Sequence, residues 1–295
     1  MQALAAWLVA RPQNAVLVLA ATLVVPYLQV LSGIVMVLLV LKQGARLAVI
    51  EGVAAGALLG LIALIAGVPI SQLLGGMLTT WVPAVVLGGT LQVSRSLTLT
   101  LQVSMIVVVL MTIAFHVVVD DIVAFWQPVT TYMLEWARES NLLEQVQLME
   151  SEPVMTANMV TIAIILSSWM LYVLYLLFGY QIFVQMSGET GDYGRFRELN
   201  FGRVLALIMA LASLLAVASG VAAIQNIAFL LFAMFWIQGL ALVHWMHAQR
   251  QLPLLVLILT YVLLPVFHVF LILALAVLGY TDAWFGYRRR AARQQ

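Results

Sequence analysis

The chain contains no cysteine, and that single absence removes disulfides, thiolate metal sites and cysteine nucleophiles together. Charge is nearly as scarce. Only 8% of the 295 residues are Asp, Glu, Lys or Arg, where a soluble domain carries about a quarter. Thirteen basic residues against 12 acidic ones leave a formal net charge of +1, so there is no overall basic field for nucleic acid. A glycine-rich phosphate loop, a zinc-protease helix and a serine-nucleophile elbow are also missing, which counts against an ATPase or a familiar hydrolase. No residue set points to a metal or a cofactor, and an enzyme is not expected.

What fills the chain instead is apolar: 64% of positions are hydrophobic and the mean hydropathy is +1.10. A soluble fold of this size has no interior large enough for that surface. Lipid offers no partner to backbone N–H and C=O groups, so a spanning segment must be a helix of about 20 apolar residues or a strand of a closed barrel. Eight segments meet the helix rule: 15–41, 47–67, 70–91, 97–119, 157–184, 204–224, 227–247 and 253–280. None alternates as barrel strands do. The expected architecture is an all-α, polytopic transmembrane bundle with about eight spans, forming one integral membrane domain over residues 1–295. Residues 1–14 read as a retained interfacial segment. The first and last spans are unusually long and contain Pro26 and Pro265, where a lost hydrogen bond kinks or divides a helix.

Between spans four and five, residues 119–156 form an extramembrane excursion. Tyr132, Trp136, Leu143, Val146 and Met149 recur there at helical spacing, which predicts one amphipathic helix. Its polar face is acidic, with Asp120, Asp121, Glu135, Glu139, Glu144, Glu150 and Glu152 around a single Arg138. Helices that bind anionic headgroups are basic, so the expectation is docking on protein or passive placement at the interface. Residues 281–295 form a basic tail. With eight spans, Lys42, Arg46, Arg95, Arg195, Arg197, Arg203 and Arg250 fall on one side, and Arg288, Arg289, Arg290 and Arg293 fall on the other. The positive-inside rule then gives conflicting orientations.

Several features carry candidate roles. Gly52, Gly56 and Gly60 are spaced four apart, clearing one helix face either for packing within the chain or for a partner helix. Glu51 stands at the mouth of that span near Lys42 and Arg46. His116, Asp120 and Asp121 form a polar cluster at the end of span four, fit either for solvent contact or for holding a proton or cation. His244 and His247 precede Arg250 at a helix end, where cations complement the helix dipole. His268 falls in the last span three residues after Pro265, and Gln238 falls in the seventh. With Ser168, Trp169 and Tyr172 of the fifth span, they are candidates for a polar-aromatic ligand cavity.

Three stretches give the chain a family likeness: Leu41-Lys-Gln-Gly-Ala-Arg46, Glu198-Leu-Asn-Phe-Gly-Arg203 and Leu278-Gly-Tyr-Thr-Asp-Ala-Trp-Phe-Gly-Tyr-Arg288-Arg-Arg. With the overall layout, they resemble the YybS-like bacterial membrane proteins, a family without an agreed activity. That family is distantly similar to the substrate-binding subunits of energy-coupling-factor vitamin transporters. The resemblance implies a transport-type fold and a ligand cavity, and supplies no catalytic residue. The functional expectation is a multi-pass protein of a bacterial inner membrane that binds or transports a small molecule without its own ATPase. The alternative is a scaffold that holds a membrane protein partner through the glycine face and the acidic helix. The expected partners are the bilayer and a small molecule or membrane protein, with no nucleic acid.

Overall fold

A computed structural model describes residues 2–25, 27–186, 193–264 and 266–292, without the side chains of residues 268, 269, 291 and 292. Pro26, Pro265, Arg293 and the side chain of His268 lie outside the described residues. The described residues form helices and connecting turns, with no strand. Six helices are long and apolar enough to cross a membrane: α4 (Ala45–Ala66), α5 (Ile70–Ser94), α6 (Leu97–Val118), α9 (Pro153–Gln185), α10 (Gly202–Ser219) and α11 (Ala222–Ala248). A seventh crossing results if α1 (Gln2–Ala10) and α2 (Pro12–Val24), bent by 112° at their junction, count as one span. The chain is thus a polytopic helical bundle.

These six helices coincide with the six middle hydropathy segments. The outer two segments are divided. Residues 15–41 fall on α2 and on α3 (Gln29–Gln43), and residues 253–280 fall on α12 (Leu254–Leu263) and α13 (His268–Phe285). At the first break Val25 has extended backbone with ψ 120°, as expected for a residue that precedes proline. At a rise of 1.5 Å per residue, α12 covers about 15 Å and cannot cross a hydrocarbon core of about 30 Å. The excursion is also two helices, α7 (Ile122–Glu139) and α8 (Leu143–Ser151). Asn141 adopts φ +57° between them, a conformation its short polar side chain tolerates. Asp121 caps α7 by accepting from the Val123 and Ala124 amides, and Arg138 of α7 pairs with Glu150 of α8.

The chain forms two compact units. The first comprises residues 1–101 and 169–196. Its core is α3, where Val37, Leu39 and Val40 are fully buried although the helix is too short to span alone. Neighbouring helices approach α3 through small residues. Gly33 faces the ring of Tyr175, and Gly179 faces Val37 and the Ile34 carbonyl. One polar seam crosses this apolar core. The Trp81 indole N–H donates to Ser32 Oγ at 2.8 Å, Ser32 donates to the Leu19 carbonyl at 3.3 Å, and Gln29 donates to Thr80 Oγ1 at 2.9 Å.

The second unit comprises residues 102–168 and 197–295. Its core is α11, which buries Leu230, Met234, Phe235, Ala241 and Leu242 against α10 and α13. The short α14 (Tyr287–Ala292) follows α13. His244 and His247 tie α11 to the segment after it. The His244 ring donates from Nδ1 to the Leu240 carbonyl and accepts at Nε2 from the Tyr261 hydroxyl at 3.1 Å. His247 Nδ1 donates to the Leu252 carbonyl at 3.1 Å.

Candidate functional site

The most strongly specified polar arrangement is in the second unit, where α11 and α13 cross. A Cβ added to Gly239 would collide with the Leu275 carbonyl, and one added to Gly279 would collide with the Phe235 carbonyl. The backbones therefore touch directly, the arrangement that small residues permit between membrane helices. Next to this crossing Gln238 is fully buried, and its whole amide is engaged. Its oxygen accepts the Phe201 N–H at 2.7 Å, while its nitrogen donates to the Gly279 carbonyl at 3.0 Å and to Asp282 Oδ2 at 3.2 Å. Gln102 holds the other side of the same residue by donating to the Phe201 carbonyl at 3.1 Å. One glutamine thus fixes the approach to α10 against the end of α13.

That clamp brings two separated segments together. Arg288 donates to the Leu199 carbonyl at 2.7 Å, and Arg203 donates to the Trp284 carbonyl at 3.1 Å. Gly286 ends α13 with φ +59°, a left-handed conformation that turns the chain and that glycine adopts at little cost. A Cβ there would also stand 3.0 Å from Arg289 Nε, so the glycine leaves room for that guanidinium. Arg290 lies over the Phe285 ring at 5.7 Å, within cation–π range. Glu198, Asn200, Gly202, Arg203, Arg288 and Arg289 line an open cleft of about 570 Å³.

Beneath the cleft, Asp282 is fully buried and Arg288 Nη2 lies 3.6 Å from its Oδ2. The pair is incompletely satisfied: Asp282 Oδ1 and Arg288 Nε and Nη2 find no hydrogen-bond partner among the described residues. Burial pushes the Arg288 guanidinium below its ordinary value, and the carboxylates of Asp282 and Glu198 act in the opposite direction. Arginine's intrinsic basicity keeps it charged through physiological pH all the same.

The two hydrogen bonds also bear on the topology that the sequence left open. Arg203 and the tail group containing Arg288 occupy the same end of the second unit, whereas an eight-span count separates them. The physical reason is the division of the last hydropathy segment: α12 is too short to carry the chain across by itself. The conflict in the positive-inside reading disappears for these residues.

A family model described as "Predicted membrane protein (DUF2232)" matches residues 14–283. The chain belongs to this DUF2232 family. No curated protein matches it. No solved structure matches it either. The region common to the family takes in α2 to α12 and nearly all of α13, so Gln238, Asp282 and the segment 198–203 lie within it while Arg288 and Arg289 follow it.

The residues singled out in this DUF2232 chain fall in different places. Trp169 and Tyr172 belong to the first unit, whereas Ser168, Gln238 and His268 belong to the second. Trp169 and Gln238 are buried, and Gln238 has its amide committed as described. Gly52 and Gly56 face Met36, Met77 and Trp81 within the first unit, while nothing lies near Gly60. Glu51 accepts a hydrogen bond from Gln43. His116 donates from Nδ1 to the Thr112 carbonyl at 2.9 Å and has Asn226 Nδ2 3.5 Å from its other nitrogen. Asp121 is the cap of α7 and Asp120 is exposed. No group of three His, Asp or Glu residues fit for a metal occurs among the described residues.

Sequence reasoning missed the cleft. Two of the three stretches that carried the family likeness, 198–203 and 278–290, are the segments that build it. Their arginines read as interfacial or tail charges because nothing in the linear order shows them meeting.

Proposed function

We propose that the protein is a small-molecule binding or transport component of a bacterial inner membrane, without an ATPase of its own, and that the arginine-lined cleft is its ligand site. The observation that carries this reading is the construction of the cleft. Arg203, Arg288 and Arg289 come from two distant segments, held by a buried amide that joins Phe201, Gly279 and Asp282. Ligand pockets combine an open concavity with a few convergent polar groups. The resemblance to the YybS-like family, itself distantly similar to substrate-binding subunits of energy-coupling-factor transporters, implies a ligand cavity and accords with this reading. Energy for transport would come from a gradient or a separate subunit. Arginines gathered at one end favour the cytoplasmic side for the cleft.

The test uses full-length protein in nanodiscs, examined by native mass spectrometry for a retained small molecule and by thermal shift against a metabolite panel. A ligand that raises Tm and loses its effect in Arg289→Glu supports the proposal. A panel with no stabilising ligand and no retained mass would remove it.

The scaffold reading draws on α7, whose Phe125, Val129, Tyr132 and Trp136 are all exposed at helical spacing along one face. A protein partner lost on Trp136→Glu, with ligand binding intact, would favour it.

A further inference from the structure

The cleft carries more than a preference for some ligand, and its set of hydrogen-bond donors specifies a chemical class. Three guanidinium groups face it, from Arg203, Arg288 and Arg289, against one carboxylate, Glu198. With the buried Asp282 beside Arg288 also counted, the formal excess is one positive charge. Beneath them the Arg288–Asp282 pair sits at 3.6 Å, and two of the Arg288 nitrogens and one Asp282 oxygen lack hydrogen-bond partners. Those atoms are buried, so the Arg288–Asp282 pair forms the floor, and the donors that a ligand reaches belong to Arg203, Arg289 and Asn200. Arg203 commits Nη2 to the Trp284 carbonyl. A guanidinium carries five N–H donors, so Arg203 keeps others for a ligand. Arg289 is exposed and its guanidinium lies over Gly286. Asn200 accepts the Gly202 N–H through Oδ1 at 2.9 Å, which leaves its amide N–H₂ to donate. The positive N-terminal end of the 18-residue α10 begins at Gly202 on the cleft wall and adds to the same field.

Resting on the ligand-site reading above, we infer that this cleft binds a phosphomonoester dianion. Its three terminal oxygens suit the forked, bidentate geometry of arginine and give acceptors to Arg203, Arg289 and Asn200 at once. A phosphodiester and a carboxylate each present two such oxygens, so each leaves one of these donors without an acceptor. The phosphate can belong to a soluble metabolite or to a lipid headgroup, since the chemistry at the cleft is the same.

Full-length protein is titrated with glycerol phosphate in detergent, and separately with dioctanoyl phosphatidic acid, with dioctanoyl phosphatidylglycerol as the monoanionic control. Saturable binding of glycerol phosphate alone identifies a soluble ligand. Binding of phosphatidic acid alone identifies a headgroup, and binding of both assigns recognition to the phosphate. Affinity for the bound probe should rise about fourfold from pH 5.5 to 7.5, as the dianion fraction grows through a pKa of about 6. Arg289→Glu, at an exposed position, should weaken it at least about tenfold. Arg203→Lys should weaken it less, because the charge remains and the fork is lost. Saturable binding of neither phosphomonoester, or equal binding by wild type and Arg289→Glu, overturns the inference, as does a preference for phosphatidylglycerol. If the metabolite panel instead yields a non-phosphate ligand sensitive to Arg289→Glu, the phosphate class falls and the ligand site stands.

Discussion

Both units bring helices together through glycine, and they differ in what fills the space beside it. In the first unit the neighbours are mostly side chains: the Tyr175 ring at Gly33, Met36 at Gly52, Met77 at Gly56 and Val40 at Gly88. In the second unit the neighbours at Gly239 and Gly279 are backbone carbonyls, with a fully committed glutamine alongside. The end of a methionine can move away from an added methyl group, whereas the backbone of a packed helix cannot. The first unit therefore has slack at Gly52 and Gly56, although Gly179 there meets the Ile34 carbonyl. The second has a rigid crossing, and the rigid one supports the cleft.

The largest expected effect comes from breaking the rigid crossing. Gly279→Leu should destabilise the protein by about 4 kcal/mol or more, read as loss of the monodisperse peak on extraction. A variant that folds normally would show that the helices do not meet at this point. Next is Gln238→Leu, which strands the Phe201 N–H and leaves the Gly279 carbonyl and Asp282 with one partner fewer. It should cost about 2–3 kcal/mol, measured by thermal unfolding in detergent, and should weaken cleft binding as Phe201 and Asp282 shift.

Gly56→Ala in the first unit should cost less, about 1–2 kcal/mol, because the neighbour there is the flexible end of Met77. If its cost matched that of Gly279→Leu, the contrast between yielding and rigid packing would be wrong. Ser32→Ala removes the acceptor for Trp81 and should cost about 0.6 kcal/mol, the scale of hydrogen bonds between membrane helices. The smallest effect belongs to Gly60→Ala. Nothing lies near its Cβ position, so the better helix propensity of alanine should stabilise by up to about 1 kcal/mol. Destabilisation there would point to a contact made in the membrane by another chain.

Much of the fold was legible. Each of the six middle spans is a continuous apolar run, and lipid leaves such a run no alternative to a helix. The breaks near residues 26 and 265 were marked by proline, which left the side of the arginine tail open between a single and a divided span. It depended on α12 being too short to cross, and on Arg203 reaching the Trp284 carbonyl 81 residues away. The excursion showed its helical period, but the turn at Asn141 interrupts a pattern that runs from Tyr132 to Met149 in the sequence. At the candidate site the glutamine stood out as a polar residue in an apolar span. Its neighbours did not, because an arginine at a helix start and arginines in a tail look like ordinary interfacial charges until they share a cleft.

The sequence by itself determined that this protein lives in a bilayer, that its body is helical, and that it has neither thiol chemistry nor a nucleotide loop. Those conclusions follow from composition and local period, which every residue carries with it. Which helices touch, which end the basic tail occupies, and which arginines face one another were decided only by tertiary structure. They depend on long-range hydrogen bonds from single side chains, above all Gln238, and on two glycines small enough for backbones to meet.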